Sequence, residues 1–393
     1  MEERREDVVA RGGDASRVLA AARVHPVRSD GTKCAIAFTL AIASSLAAWA
    51  CATNARVASA RPGSYLIELD KADAVLRVIE PNSGWTKDSA PTNAGPHEVA
   101  TARDGLHAVV AEYGGDTPGH TLAVYDLLLR RMESTIDLAP HQRPHGIAYL
   151  DRRSTVLVTS ETSHAVLEVD LRARKIVRTM DTGAEGSHML VIAPDRSRVY
   201  TSNMRSGSVS AIDLATGKLV AIVPTGDEPE AIDLTPDGSE LWVGHRQSDT
   251  LAVLDAHTLR IKELVTCHHV PIRLKVTPDG QRVLVSNNGS GDLAVFDAHT
   301  RQEIARIPLG RASVQMGARS LGKDPVPEGL IIDPRGRFAF VAESALKRVT
   351  AIDLERLAIQ GFIPTGNGPD GMAWAGMTQP ISGAGEGPDT MGR

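Results

Sequence analysis

"RVYTSNMRSGSVSAIDLATGKLVAIVPTG" (residues 198–226) and "RVLVSNNGSGDLAVFDAHTRQEIARIPLG" (282–310) carry one pattern twice. Each opens on a short apolar run and turns at Asn. An alternating stretch then closes on Asp, a second turn follows at Thr, and a last run ends in Gly. Alternation at period two marks half-buried strands, and Asn, Asp and Gly suit the tight turns between them. The closing aspartates recur at Asp126, Asp170, Asp213, Asp255, Asp297 and Asp353, mostly 42–44 residues apart. Upstream of each sits another turn signal: "ARDG" (102–105), "LDRR" (150–153), "APDR" (193–196), "TPDG" (235–238 and 277–280) and "DPRG" (333–336). Four short strands per repeat of about 43 residues make an antiparallel blade. One blade cannot bury both of its faces alone, so blades stack around an axis as a β-propeller.

The two ends of the pattern complete each other. "YLIELDKADAVLRVIEPNSG" (65–84) reads as the later strands of a repeat, with Glu80 at the closing position, and "GPDGMAWA" (368–375) reads as a first strand only. Together they form one blade, which brings the expected total to seven and leaves no sheet edge open. The chain resembles the YVTN-repeat β-propeller family over about residues 62–375. "TPDG" and the "VxxID" or "VxxFD" runs are well kept, while the naming tetrapeptide survives as "YTSN" (200–203) and "LVSN" (284–287). The resemblance implies an all-β, seven-bladed propeller and leaves the activity open, because function lies in sites carried on a fold. No Trp-Asp dipeptide ends a strand, which argues against WD-type repeats.

Residues 34–52, "CAIAFTLAIASSLAAWACA", are apolar and uncharged, follow Arg28 and Lys33, and lead to Ala58-Ser59-Ala60. This reads as a signal peptide cleaved near Ala60, so the mature protein is expected to be periplasmic or secreted with no membrane span. An uncleaved anchor, or a lipoprotein through Cys51, is the alternative. The expected divisions are 1–60 as extension and signal, 61–375 as propeller, and 376–393 as a disordered Gly/Pro-rich tail. Only Cys267 remains after cleavage, so the core must hold the fold without an intrachain disulfide.

A net charge of −5 with both signs interspersed gives no nucleic-acid groove, and 4% aromatic content supplies few stacking platforms. No C-x-x-C-H, G-x-S-x-G or P-loop occurs, so covalent haem, a nucleophile elbow and a nucleotide are not expected. Expected partners are a metal, a small molecule or an extracytoplasmic protein, met by a monomer.

Up-and-down strands bring the start of every first strand to one mouth of the ring. Seven equivalent positions there read His97, His145, His188, Glu230, Ile272 with Arg273 next, Glu328 and Asp370. A solvated polar hub is the plain reading, but simple duplication would repeat one residue rather than give three histidines and then acids. The insertions 114–120 and 311–327 and the "CHH" run (267–269) belong to the same side. Asp70, Glu112, Glu161, Asn203, His245, Asn287 and Glu343, after each second strand, read as residues that fix turns.

Three imidazoles with a carboxylate suit Zn²⁺ or a similar divalent transition metal better than Ca²⁺. Two function classes follow. One is a binding module whose mouth takes a metal, small ligand or protein. The other is a metal-dependent hydrolase or lyase, lactonase-like by analogy of fold, with Glu98 or Glu230 as general base.

Overall fold

The computed structural model describes residues 64–376 except 152–153, 268 and 311–324. The signal-like segment, the tail beyond 376, His268 and most of the 311–327 insertion therefore lie outside the described residues. Among the described residues, twenty-eight strands, β1 to β28, form seven four-stranded antiparallel sheets. One short 3-10 turn, Ser344–Leu346, is the only helical element among the described residues, and no helix there is long and apolar enough to cross a membrane.

The shared blade is formed as expected. β28 (Pro369–Ala375) pairs with β1 (Tyr65–Asp70), and β2 (Val75–Glu80) and β3 (Trp85–Pro91) complete that sheet. The other innermost strands are β4 (Pro96–Thr101), β8 (Pro144–Tyr149), β12 (Ser187–Ile192), β16 (Pro229–Leu234), β20 (Pro271–Val276) and β24 (Pro327–Ile332). Blades one to six begin at these six strands in order, and the shared blade is the seventh.

Seven apolar clusters hold the ring, one at each blade-to-blade interface. No interface is left unpacked, so the ring closes by burial as well as by the hydrogen bonds of β28. Trp242, Tyr125, Phe296 and Phe340 are the largest fully buried side chains and sit within these clusters. The closing aspartates fix turns: Asp126, Asp170 and Asp297 each accept two backbone N–H bonds from the residues just beyond them. In the "TPDG" turns the Asp237 and Asp279 carboxylates accept from Ser239 and Gln281, while Gly238 and Gly280 take the left-handed conformation (φ 72°) that a side chain resists.

Candidate functional site

Every innermost strand carries one extra residue against its partner, between its first residue and its third or fourth. Such a bulge kinks the strand and re-aims a side chain. The residue at the kink is the one singled out above, so His97, His145, His188, Glu230, Glu328 and Asp370 are brought to one end of the channel. The backbones crowd there: a Cβ on Gly371 would be driven into the His97 carbonyl oxygen, and one on Gly329 into that of Asp370.

The three histidines from successive blades touch ring to ring. Centroids of His97 and His145 are 4.2 Å apart, and those of His145 and His188 are 3.7 Å apart with 34° between planes. His145 has no exposed surface, and neither of its ring nitrogens has a hydrogen-bond partner. Burial, then the neighbouring His188 and His97, hold its pKa well below the ordinary value, so it is neutral.

Its neighbours are tied differently. Lys71 donates to His97 Nε2 at 2.7 Å; since an ammonium cannot accept, His97 carries its proton on Nδ1, 3.1 Å from Asp370 Oδ2. That last approach is within ion-pair distance but lacks hydrogen-bond alignment. Burial, then Lys71 and Arg273, push His97 down to about 3. His188 Nδ1 donates to Glu161 Oε1 at 2.5 Å, and its Nε2, 3.6 Å from Glu230 Oε1, makes no hydrogen bond. Burial alone would depress His188, but the hydrogen bond to Glu161 and the nearby Glu230 carboxylate outweigh it and raise its pKa. Tyr113 completes the cluster, with its hydroxyl donating to Glu161 Oε2 at 2.8 Å and its ring edge-on to His97 and His145.

Arg273 ties the acids. It donates to Glu98 Oε1 at 2.6 Å and to Glu230 Oε1 at 3.0 Å, and Arg246 reaches Glu230 Oε2 at 3.0 Å. Burial opposes ionisation of Glu230, yet His188, Arg273 and Arg246 overcome it and bring its pKa to about 2. On the other side of the ring, burial and then Asp370 push Glu328 up to about 7, and burial raises Asp370 against the pull of Lys71 and Arg273.

Lys71, Tyr113, Glu161, Arg246 and Asn288 hold a common place in their blades, one residue past the partner of each innermost strand's first residue. They line a cavity of about 550 Å³ over the imidazoles. Residues that pair with the first residue of an innermost strand turn away from it: Asn203 bonds Ser208 and Ser210, Asn287 bonds Asp292, and Glu343 bonds Arg348 and Thr350. In blade two that structural position belongs to Ser160, which frees Glu161 for the site. His245 is at this end of its blade but packs inward, bonded to Thr250. The "CHH" run does not converge: Cys267 is buried against Asn287, while His269 is exposed near Asp249.

Among the described residues, three groups have donor atoms within 4.8 Å of one another: two at this mouth share His145, one with His97 and Glu98 and one with Glu161 and His188, and the third, His107 with Asp126 and Glu133, lies away from it. The family description "YNCE-like beta-propeller" matches residues 145–270, from blade two to blade four. The chain is a seven-bladed β-propeller, similar to the YNCE-like family over those residues. No curated protein matches it. Among solved structures, the propeller is similar to Kuenenia stuttgartiensis hydrazine synthase, at 18% identity over 70% of this chain and 88% of that one, with a TM-score of 0.61. It is also similar to a functionally unknown protein from Desulfotomaculum acetoxidans DSM 771, at 12% identity over 80% and 99%, with a TM-score of 0.64. At these identities the likeness concerns the fold alone.

Proposed function

We propose that this is an exported propeller acting as a binding module, with a divalent transition metal of the zinc type held at the mouth by His145 and His188. The observation that carries the reading is His145, a neutral and fully buried imidazole with two unpartnered nitrogens. Leaving a buried polar group unsatisfied costs about 1–3 kcal/mol, and a metal would recover that cost. His188 is arranged in the same sense: the Glu161 carboxylate holds its Nδ1–H, as the outer carboxylate of a metal-bound histidine does, and Nε2 has no hydrogen-bond partner, so a metal there would displace only the proton that the raised pKa favours. His97 is committed to Lys71 and faces Asp370, so it flanks the ion rather than leading its binding. The cavity above leaves room for a small ligand, or a protein side chain, as a further ligand of the metal.

The hydrolase reading has less support. Glu98 and Glu230 are both bonded to Arg273, and a carboxylate with a pKa of about 2 is a poor general base near neutral pH. Elemental analysis after zinc loading and dialysis tests the proposal. One ion per chain is expected for the wild type and for His299→Ala, which alters an exposed histidine in the turn beyond Asp297. Occupancy should fall at least tenfold in His145→Ala and His188→Ala. Equal occupancy in His145→Ala and wild type, or none in any protein, overturns it.

A further inference from the structure

A second cavity, lined in part by Glu98 and Arg273, reaches the mouth where the "PDG" turns lie. The cavity there has a volume of about 560 Å³, within the range of small-molecule sites. Its chemistry differs from that of the histidine mouth. Ile147, Met189, Ile331 and Trp374 line it and are each only partly buried, so they present apolar surface to the channel. Four cations from three blades line the same cavity, Arg103, Arg196, Arg273 and Lys275, with a single carboxylate, Glu98, which already holds Arg273. Among the described residues Lys275 and Arg196 have no carboxylate within ion-pair distance through their side chains.

An apolar chamber with surplus positive charge selects by both properties at once. The walls gain from covering hydrocarbon, and Lys275 and Arg196 gain from a carboxylate brought out of bulk water beside them. A neutral lipid would leave the cations unmet, and an amine would meet like charge.

We propose that this second cavity binds a small amphipathic organic carboxylate, with its hydrocarbon against Ile147, Ile331 and Trp374 and its carboxylate toward Lys275 and Arg196. The site lies at the opposite mouth from the imidazoles and stands or falls independently of the metal reading.

Octanoate and octylamine, titrated into the full chain by calorimetry with Trp374 fluorescence followed in parallel, are the probes. Octanoate should bind saturably and quench or shift that fluorescence, while octylamine should not bind. Lys275→Ala should weaken octanoate at least tenfold, and Ile331→Trp, which fills the chamber, should abolish binding. Zinc occupancy at the other mouth reports that each variant is folded if wild type binds zinc, and the thermal melt reports it in any case. If Lys275→Ala fails to fold, Arg196→Ala takes its place, with the same loss expected. Absence of octanoate binding, equal binding of octylamine, or unaltered octanoate binding in the Lys275 (or Arg196) and Ile331 variants overturns the proposal.

Discussion

His145 shows how a single side chain can be costly to the fold and useful to the site. Leucine is of comparable size and has no polar atoms to desolvate. His145→Leu should therefore stabilise the metal-free protein by about 1–3 kcal/mol at pH 7.5, measured by urea unfolding, while removing zinc binding. The difference should grow in acid. The folded state keeps His145 neutral well below its ordinary pKa, whereas the unfolded chain takes up a proton near pH 6.5, so protons favour the unfolded wild type. Between pH 7.5 and 5.0 the wild type should lose roughly 2 kcal/mol more than His145→Leu. Parallel pH profiles for the two proteins would contradict this. Arg273 is the opposite case, a buried cation on which two carboxylates depend. Arg273→Ala strips Glu98 of its cation and leaves Glu230 to Arg246 and His188 alone, and should cost about 3–5 kcal/mol in the same assay.

The innermost strand, with its bulge, is the element that makes the site. Gly371 lets β28 approach β4 at this kink. Gly371→Ala, which meets the His97 carbonyl oxygen, should destabilise by about 1–3 kcal/mol and displace His97, which thermal unfolding and the zinc isotherm would each detect. The kinks also explain what could be read in the sequence. Each follows the first residue of a repeated strand, proline in six blades and Ser187 in the other, so counting repeats was enough to find the ring of His97, His145, His188, Glu230, Glu328 and Asp370. The tier above was misread by one residue. Glu161 does not belong with Glu112 and Asn203, because Pro144 pairs with Ser160. In a strand, a one-place slip exchanges the core face for the open one. The spacing held the answer: the partner lies sixteen residues after the strand's first residue in each of blades one to six, and that count lands on Ser160. The reach of Arg273 across the channel to Glu98 had no such signal, because it depends on the ring's diameter.

At the scale of the whole molecule, closure by β28 joins both ends of the described chain into one blade. Deleting residues 369–393 should expose β1 as an edge and uncover the apolar faces of Ile67 and Leu66. The expected outcome is a protein that aggregates on size-exclusion chromatography and is cut by protease within blade seven; a monomeric, protease-resistant product would contradict closure as the source of stability. Closure also sets seven strand starts around one narrow mouth, which is why three imidazoles meet in contact although they lie more than forty residues apart. The measurement that tests the metal claim most directly is an anomalous difference map from zinc-soaked crystals, collected on both sides of the zinc edge. The account predicts one strong peak within bonding distance of His145 and His188, absent in His145→Ala. No peak at that mouth, or one that persists in the variant, would contradict it.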